Sequence, residues 1–260
     1  MTDLAGTRRR TTTAPGIGLI LTSLFDADLR VQLRNGRALV VSLFLPVVLM
    51  YALGAGKRGA LFPASTRLAI AVAVGITSVA ILGYTATVAR DRETGVFQRL
   101  RVTPAPAWAI MGSRLAVQVL SIVVMTVVVF IVGGVMLNLT LDPGAYALTM
   151  VVAALGAAEF LSIGQAIVGL LRSADTVNAI GRLLYIPLFA LGILGNVSVF
   201  GSTLETIARW SPGGALISML AGAMAPATWN SDNWWSVLAS LAYTLVFVAL
   251  GIRWFQWETR

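Results

Sequence analysis

Residues 68–89 read LAIAVAVGITSVAILGYTATVA, an apolar run without a single charged residue. A helix of about 20 apolar residues crosses the hydrocarbon core of a bilayer. Six predominantly apolar runs of about this length or more are found, at about 38–55, 68–89, 115–137, 145–171, 176–198 and 234–254. The fifth is the weakest, because Arg182 lies in its first turns. The sequence therefore predicts an all-α polytopic membrane protein with six transmembrane helices.

The composition indicates the same class of protein and excludes several functions. Of the 260 residues, 57% are hydrophobic and 12% are charged, against about 45–50% and about 25% in soluble domains. The chain has no cysteine and no histidine, which excludes disulfides, histidine metal sites and histidine-based catalytic triads. We therefore expect no metal and no cofactor in this chain.

The distribution of positive charge predicts the orientation. If there are six spans, fifteen of the 19 basic residues lie on the side of the two termini. These are Arg8, Arg9, Arg10, Arg30, Arg34, Arg37, Arg90, Arg92, Arg99, Arg101, Arg114, Arg172, Arg182, Arg253 and Arg260. Because short cytoplasmic loops are rich in Lys and Arg, both termini are predicted to be cytoplasmic. No basic segment is interleaved with base-stacking aromatics, so no nucleic-acid partner is expected. The bias towards Arg, Ala, Gly and Val suggests a GC-rich bacterial genome, and we expect the chain in a bacterial inner (plasma) membrane.

The N-terminal part divides into two predicted segments. Residues 1–16 are polar and include three consecutive arginines, which indicates a disordered cytoplasmic tail. Residues 17–260 then form one transmembrane domain. Residues 17–36 place apolar side chains on one helical side and polar ones on the other, which favours an amphipathic helix on the cytoplasmic leaflet. A short helix packed on protein is the alternative.

The loop after the second run, residues 90–114, is the most informative polar segment. It begins RDRETGVFQRLRVTP, which is too charged and too long for a tight turn. We predict a short cytoplasmic helix near 92–101 that ends before Pro104. Phe97 would be an apolar anchor for a partner protein and the arginines a polar rim. Alternatively, the loop only sets the topology.

This loop resembles that of ABC-2 type permeases, including the daunorubicin-resistance-type exporters. The matching residues are Glu93-Thr94-Gly95, Phe97-Gln98, Leu100 and Thr103-Pro104. The chain departs at Gln98, where Glu is more usual. The resemblance extends to the surface helix, the six spans and the outer segment 199–233, where the family has an apolar re-entrant hairpin. That segment lacks the Met-Pro pair expected before the hairpin.

The resemblance implies a mechanism in which this loop is a coupling helix docked on a separate ATPase. The residues carried over to ATPase coupling are Arg92, Glu93, Gly95, Val96, Phe97, Gln98, Arg99, Leu100 and Arg101. It further implies two permease halves, identical or homologous, and two P-loop ATPase subunits that bind ATP and Mg. The complex would export a hydrophobic or amphipathic substrate such as a drug or lipid. In that family, spans two and five face the path between the halves.

The sequence assigns ATP hydrolysis to another chain. A P-loop requires a lysine after a glycine-rich turn, and the only lysine, Lys57, lies in the wrong context. The chain is therefore expected not to be an enzyme by itself.

Three residues inside the predicted spans are candidates for the substrate path. Glu159 lies mid-span, where a carboxylate is costly and suggests function. It has three interpretations: a structural hydrogen bond or ion pair, a contact for a cationic substrate, or a proton relay. Pro46 and Pro187 lie within spans one and five and act as hinges or static kinks. An ATPase-independent secondary transporter or channel that uses Glu159 is the alternative function, and a membrane enzyme is a more remote one.

Overall fold

The computed structural model describes residues 16–34, 36–54, 62–103, 105–195 and 202–254, and the regular structure in these ranges is helical. The helices are α1 Ile17–Arg34, α2 Gly36–Gly54, α3 Ala64–Thr77, α4 Thr85–Glu93, α5 Val96–Arg101, α6 Ala107–Leu137, α7 Pro143–Leu170, α8 Ala174–Leu194, α9 Ser202–Trp210, α10 Pro212–Met224 and α11 Ser231–Trp254. A π-helical segment, Ser78–Tyr84, joins α3 to α4 in one continuous rod. The predicted tail lies outside the described residues except for Gly16.

Within the described residues, five helices are long and apolar enough to cross a membrane. They are Ala64–Glu93, Ala107–Leu137, Pro143–Leu170, Ala174–Leu194 and Ser231–Trp254. They correspond to predicted spans two to six, so the all-α polytopic class is confirmed. Predicted span one corresponds to α2, whose described apolar part, Phe44–Gly54, is shorter than a full crossing. The sixth crossing therefore stays a prediction.

The second span lies at the centre of the helix bundle. Every residue from Leu68 to Ile81 is buried, and the rod packs against α2, α6, α7, α8 and α10. Two glycines bring their helices close to the π-helical segment. A Cβ atom at Gly164 would lie 2.8 Å from the Ala80 carbonyl oxygen, and one at Gly181 would lie 3.1 Å from that of Ile81. Small residues thus serve close helix packing within one chain.

The central position of span two does not match the expectation that this span faces a path between two permease halves. From Leu68 to Ile81 the span is enclosed by its own chain, so these residues form no outer face. Span five, α8, is different, because Leu183 and Ile186 are exposed. Of the two spans, α8 is the one whose apolar face is open to lipid or a partner.

The N-terminal helix α1 packs along α6. It ends at Arg34, two residues before the predicted end, and none of its residues is fully buried. Its half-buried side includes Leu24 and Asp28, and the Ser113 hydroxyl of α6 donates a hydrogen bond to the Asp28 carboxylate. This side of α1 therefore packs on protein, as the alternative interpretation of residues 17–36 predicted. Leu19 and Val31 remain exposed.

The outer segment contains two helices and a short 3₁₀ turn at Pro226–Thr228. The 13 residues of α10 rise only about 20 Å, too short to cross a bilayer. Its Leu216, Met219 and Leu220 side chains are nevertheless fully buried. The Ser211 hydroxyl accepts a hydrogen bond from the Gly214 N–H at 3.1 Å and caps its first turn. A short buried apolar helix is what a re-entrant element requires.

Candidate functional site

The loop after span two is shorter than the sequence predicted. The helix α4 continues to Glu93, and α6 begins at Ala107. The short helix predicted near 92–101 is present as α5, Val96–Arg101, but it begins later than predicted because the chain turns at Thr94 and Gly95. Gly95 has φ +71°, in the left-handed region that only glycine adopts without strain. The turn aims α5 away from the axis of α4.

Arg92 is buried and bonded to the chain itself, with 2% of its surface exposed. Its guanidinium donates to the carbonyl oxygens of Val168 at 2.9 Å, Leu171 at 2.6 Å and Arg172 at 2.7 Å. The Val168 carbonyl lies in the last turn of α7, and those of Leu171 and Arg172 lie just beyond its end, where backbone acceptors lack helical partners and the helix dipole favours a cation. The prediction of Arg92 as part of an exposed rim is therefore wrong.

Glu93 makes the complementary contact with the next helix. Its Oε1 accepts a hydrogen bond from the Ala174 N–H at 2.5 Å, at the start of α8, where a helix favours an anion. Arg92 and Glu93 thus hold the α7–α8 turn from both sides. We call this pair the Arg92–Glu93 clamp.

Phe97 lies inside the molecule and is fully buried. The Arg114 guanidinium carbon lies 4.6 Å from the centre of its ring, a cation–π geometry, and Arg114 also forms a salt bridge with Asp91. The expectation that Phe97 anchors a partner does not match this position, because the ring attaches α5 to its own chain.

The outward side of α5 is polar. Gln98 and Arg99 are exposed, whereas Val96 and Leu100 are half-buried against the chain. The side chain of Arg101 lies outside the described residues. Of the predicted coupling residues on α5, Gln98 and Arg99 are therefore the ones available to another protein. Their role in coupling stays a prediction.

Glu159 is fully buried on α7. The Ser240 hydroxyl of α11 donates a hydrogen bond to its Oε2 at 2.6 Å, and its Oε1 has no partner among the described residues. The bond joins two extensively packed helices, as the structural interpretation requires. Pro46 is buried in α2 beside Gly75, whereas Pro187 is exposed on α8. The three predicted path residues thus have different neighbours on different helices.

Sequence reasoning missed a charge cluster on the outer segment. Arg209 of α9 donates to Glu205 at 2.9 Å and to Asp232 at 2.7 Å. The spacing of Glu205 and Arg209 is an ordinary helical pair that the sequence signals. Asp232 is 23 residues away, and only the tertiary fold brings it close. The pair links α9 to α11.

Among the described residues, no group of three or more acidic side chains could hold a metal ion.

Comparison with known proteins agrees with this architecture. The model of the family described as ABC-2 type transporter matches residues 21–225. The chain is also 26% identical over 163 residues to "Putative transport permease YvfS" of Bacillus subtilis (strain 168). That match covers 62% of this chain and 64% of the relative, just under two thirds of its length. Because the family model spans more than half of the sequence, the chain belongs to the ABC-2 type transporter family.

Proposed function

We propose that this chain is the membrane subunit of an ATP-driven exporter, of the daunorubicin-resistance type, that moves a hydrophobic or amphipathic substrate out of the cytoplasm. ATP and Mg would be bound by separate P-loop ATPase subunits. The observation that carries the proposal is the two-sided construction of the loop after span two. On α5, Gln98 and Arg99 face outward and Phe97 is buried. At the end of α4, immediately before the loop, Arg92 and Glu93 are hydrogen-bonded to α7 and α8.

The clamp gives this loop a way to transmit movement. A push on α5 reaches α4 through the short turn at Thr94 and Gly95. From α4 it reaches the end of α7 through Arg92 and the start of α8 through Glu93. Because packed helices shift as rigid units, docking of an ATPase on α5 would move three spans together.

A second permease half fits the exposed faces of the bundle. The apolar side of α8 includes exposed Leu183, Ile186 and Pro187, and these must be covered by lipid or by another subunit. We propose two halves, identical or homologous, that meet near α8, with two ATPases on the cytoplasmic side. The excess of arginines on the side of α5 supports a cytoplasmic position for it.

Co-purification tests the proposal. The tagged full chain is extracted from its own cells in mild detergent, and bound proteins are identified by mass spectrometry. We expect a P-loop ATPase to bind, and we expect Gln98→Ala with Arg99→Ala to release it. Thr203→Ala with Thr206→Ala, two exposed positions on α9, is the matched control and should retain it. If no ATPase binds the wild-type chain, the exporter proposal fails and a secondary transporter that uses Glu159 replaces it.

A further inference from the structure

A cavity of about 270 Å³ lies beside the coupling region, between α1, α4, α5 and α6. Apolar side chains from all four helices form most of its wall: Leu24, Val31, Val88, Val96, Leu100 and Val117. Small-molecule pockets usually measure about 300–1,000 Å³, so this one would hold the head and the adjoining part of a ligand. None of the residues proposed for ATPase contact, Gln98 and Arg99, lines it.

The polar part of this wall contains groups that the protein leaves without partners. Gln118 is 95% buried, and its Oε1 accepts no hydrogen bond from the described residues. The Nε of Arg114, a side chain that is more than nine-tenths buried, likewise has no partner there. A buried polar atom without a hydrogen bond is destabilising. Gln118 therefore offers an acceptor to a ligand that carries an N–H or O–H donor.

The charges of the cavity are unbalanced. Besides the Tyr84 phenol, two carboxyl groups and one guanidinium line it: Asp28, Asp91 and Arg114. Arg114 is engaged in a salt bridge with Asp91, which leaves the Asp28 carboxylate with the neutral Ser113 hydroxyl as its hydrogen-bond donor. Burial raises the pKa of Asp28, although the Ser113 hydrogen bond and Arg114 oppose this effect. A cation placed beside Asp28 would stabilise the buried carboxylate.

We propose that this cavity binds an amphipathic cation, with its ammonium group between Asp28 and Gln118 and its apolar part along α1 and α5. The inference rests on the proposed function, because it makes the cavity the place where a cationic substrate first binds. A molecule dissolved in the lipid interface would pass α1, whose Leu19 and Val31 are exposed.

The binding is measured on the purified chain in nanodiscs without any ATPase, with radiolabelled decylamine as the probe. Nanodiscs without protein correct for partition into lipid. Decanol and decanoate, of equal chain length, serve as neutral and anionic competitors. We expect saturable binding of decylamine that neither competitor displaces at equal concentration. If decanol competes as well as decylamine, or decanoate competes better, the cation site is refuted.

Substitutions in the cavity wall test whether decylamine binds there. Asp28→Asn keeps an oxygen acceptor for Ser113 but removes the charge, and we expect it to weaken binding at least about tenfold. Asp26→Asn, on the exposed side of the same helix, is the matched control and should bind as the wild-type chain does. Gln118→Glu adds a carboxylate and should tighten binding, which a variant that merely misfolds would not do. Equal binding by the wild-type chain and Asp28→Asn would overturn the proposal.

The ammonium group could belong to a free amphiphile or to a lipid headgroup. Repeating the measurement in phosphatidylcholine and in phosphatidylethanolamine nanodiscs distinguishes them. Competition by phosphatidylethanolamine would assign the site to lipid, and equal binding in both would assign it to the free amphiphile. Failure of decylamine to bind would leave the ATPase co-purification unaffected, so the two proposals fail separately.

Discussion

Removing the Arg92 guanidinium should uncouple α5 from α7 and α8. Arg92→Met keeps most of the buried aliphatic stem but loses the three hydrogen bonds to carbonyls in the last turn of α7 and just beyond it. At a net value of about 1 kcal/mol or more per bond, the loss is at least about 3 kcal/mol. That corresponds to about a 150-fold shift from the clamped arrangement towards the released one.

The absence of cysteine makes the assay simple, because two introduced cysteines carry the only spin labels. Labels at Gln98 on α5 and Asp175 on α8, both exposed, report the separation of the two elements by pulsed electron paramagnetic resonance. The wild-type chain should give one narrow distance distribution. Arg92→Met should broaden it or add a longer distance.

Two control variants separate geometry from charge. Arg90→Met removes an exposed arginine from the same helix and should leave the distribution narrow. Arg92→Lys keeps the charge but not the planar fork of donors, so an intermediate distribution is expected. A distribution for Arg92→Met as narrow as that of the wild-type chain would refute the reasoning that Arg92 holds the α7–α8 turn.

Three further predictions concern packing, and each is measured on the full chain. Glu159→Gln keeps an acceptor for the Ser240 hydroxyl and should leave the thermal unfolding temperature in detergent unchanged, whereas Ser240→Ala should lower stability by about 1–3 kcal/mol. A large loss of stability with Glu159→Gln would show that the charge of Glu159, and not this hydrogen bond alone, stabilises the fold. Gly164→Ala should lower stability by about 1–3 kcal/mol because its Cβ would meet a backbone carbonyl, whereas Gly112→Ala, with no neighbour within 4 Å, should be neutral or slightly stabilising. Arg209→Gln should speed hydrogen exchange in α9, and unchanged exchange would show that its ion pairs do not hold that helix.

The helical architecture could be predicted because lipid imposes a simple rule. Long, predominantly apolar runs must become helices in a bilayer, and five predicted spans match long apolar helices. The length of α4 could not be predicted in the same way. Polar residues up to Glu93 continue the helix, because their charges are satisfied by neighbours distant in sequence. A hydropathy profile places the end of a span at the first charged residues, whereas the backbone of α4 remains helical up to Glu93.

The same reason explains why the sequence placed Arg92 and Phe97 on the surface of this loop, although both side chains are buried. The pattern of apolar and charged residues around Phe97 shows that α5 is two-sided, but not which side faces the chain. Arg92 is buried against carbonyls at and just beyond the end of α7, and Phe97 is buried against the guanidinium of Arg114. These partners are distant in sequence, and no local period reveals them.

Cross-linking from α5 tests the central claim most directly. Single cysteines at Gln98, Arg99 and, as a control on the outer segment, Ile207 are each joined to neighbouring proteins through a short thiol-to-amine reagent in intact membranes. The three positions are exposed. If α5 docks on a separate ATPase, cysteines at 98 and 99 should capture a P-loop ATPase and the cysteine at 207 should not. Capture of the ATPase from 207 but not from 98 or 99 would contradict the account.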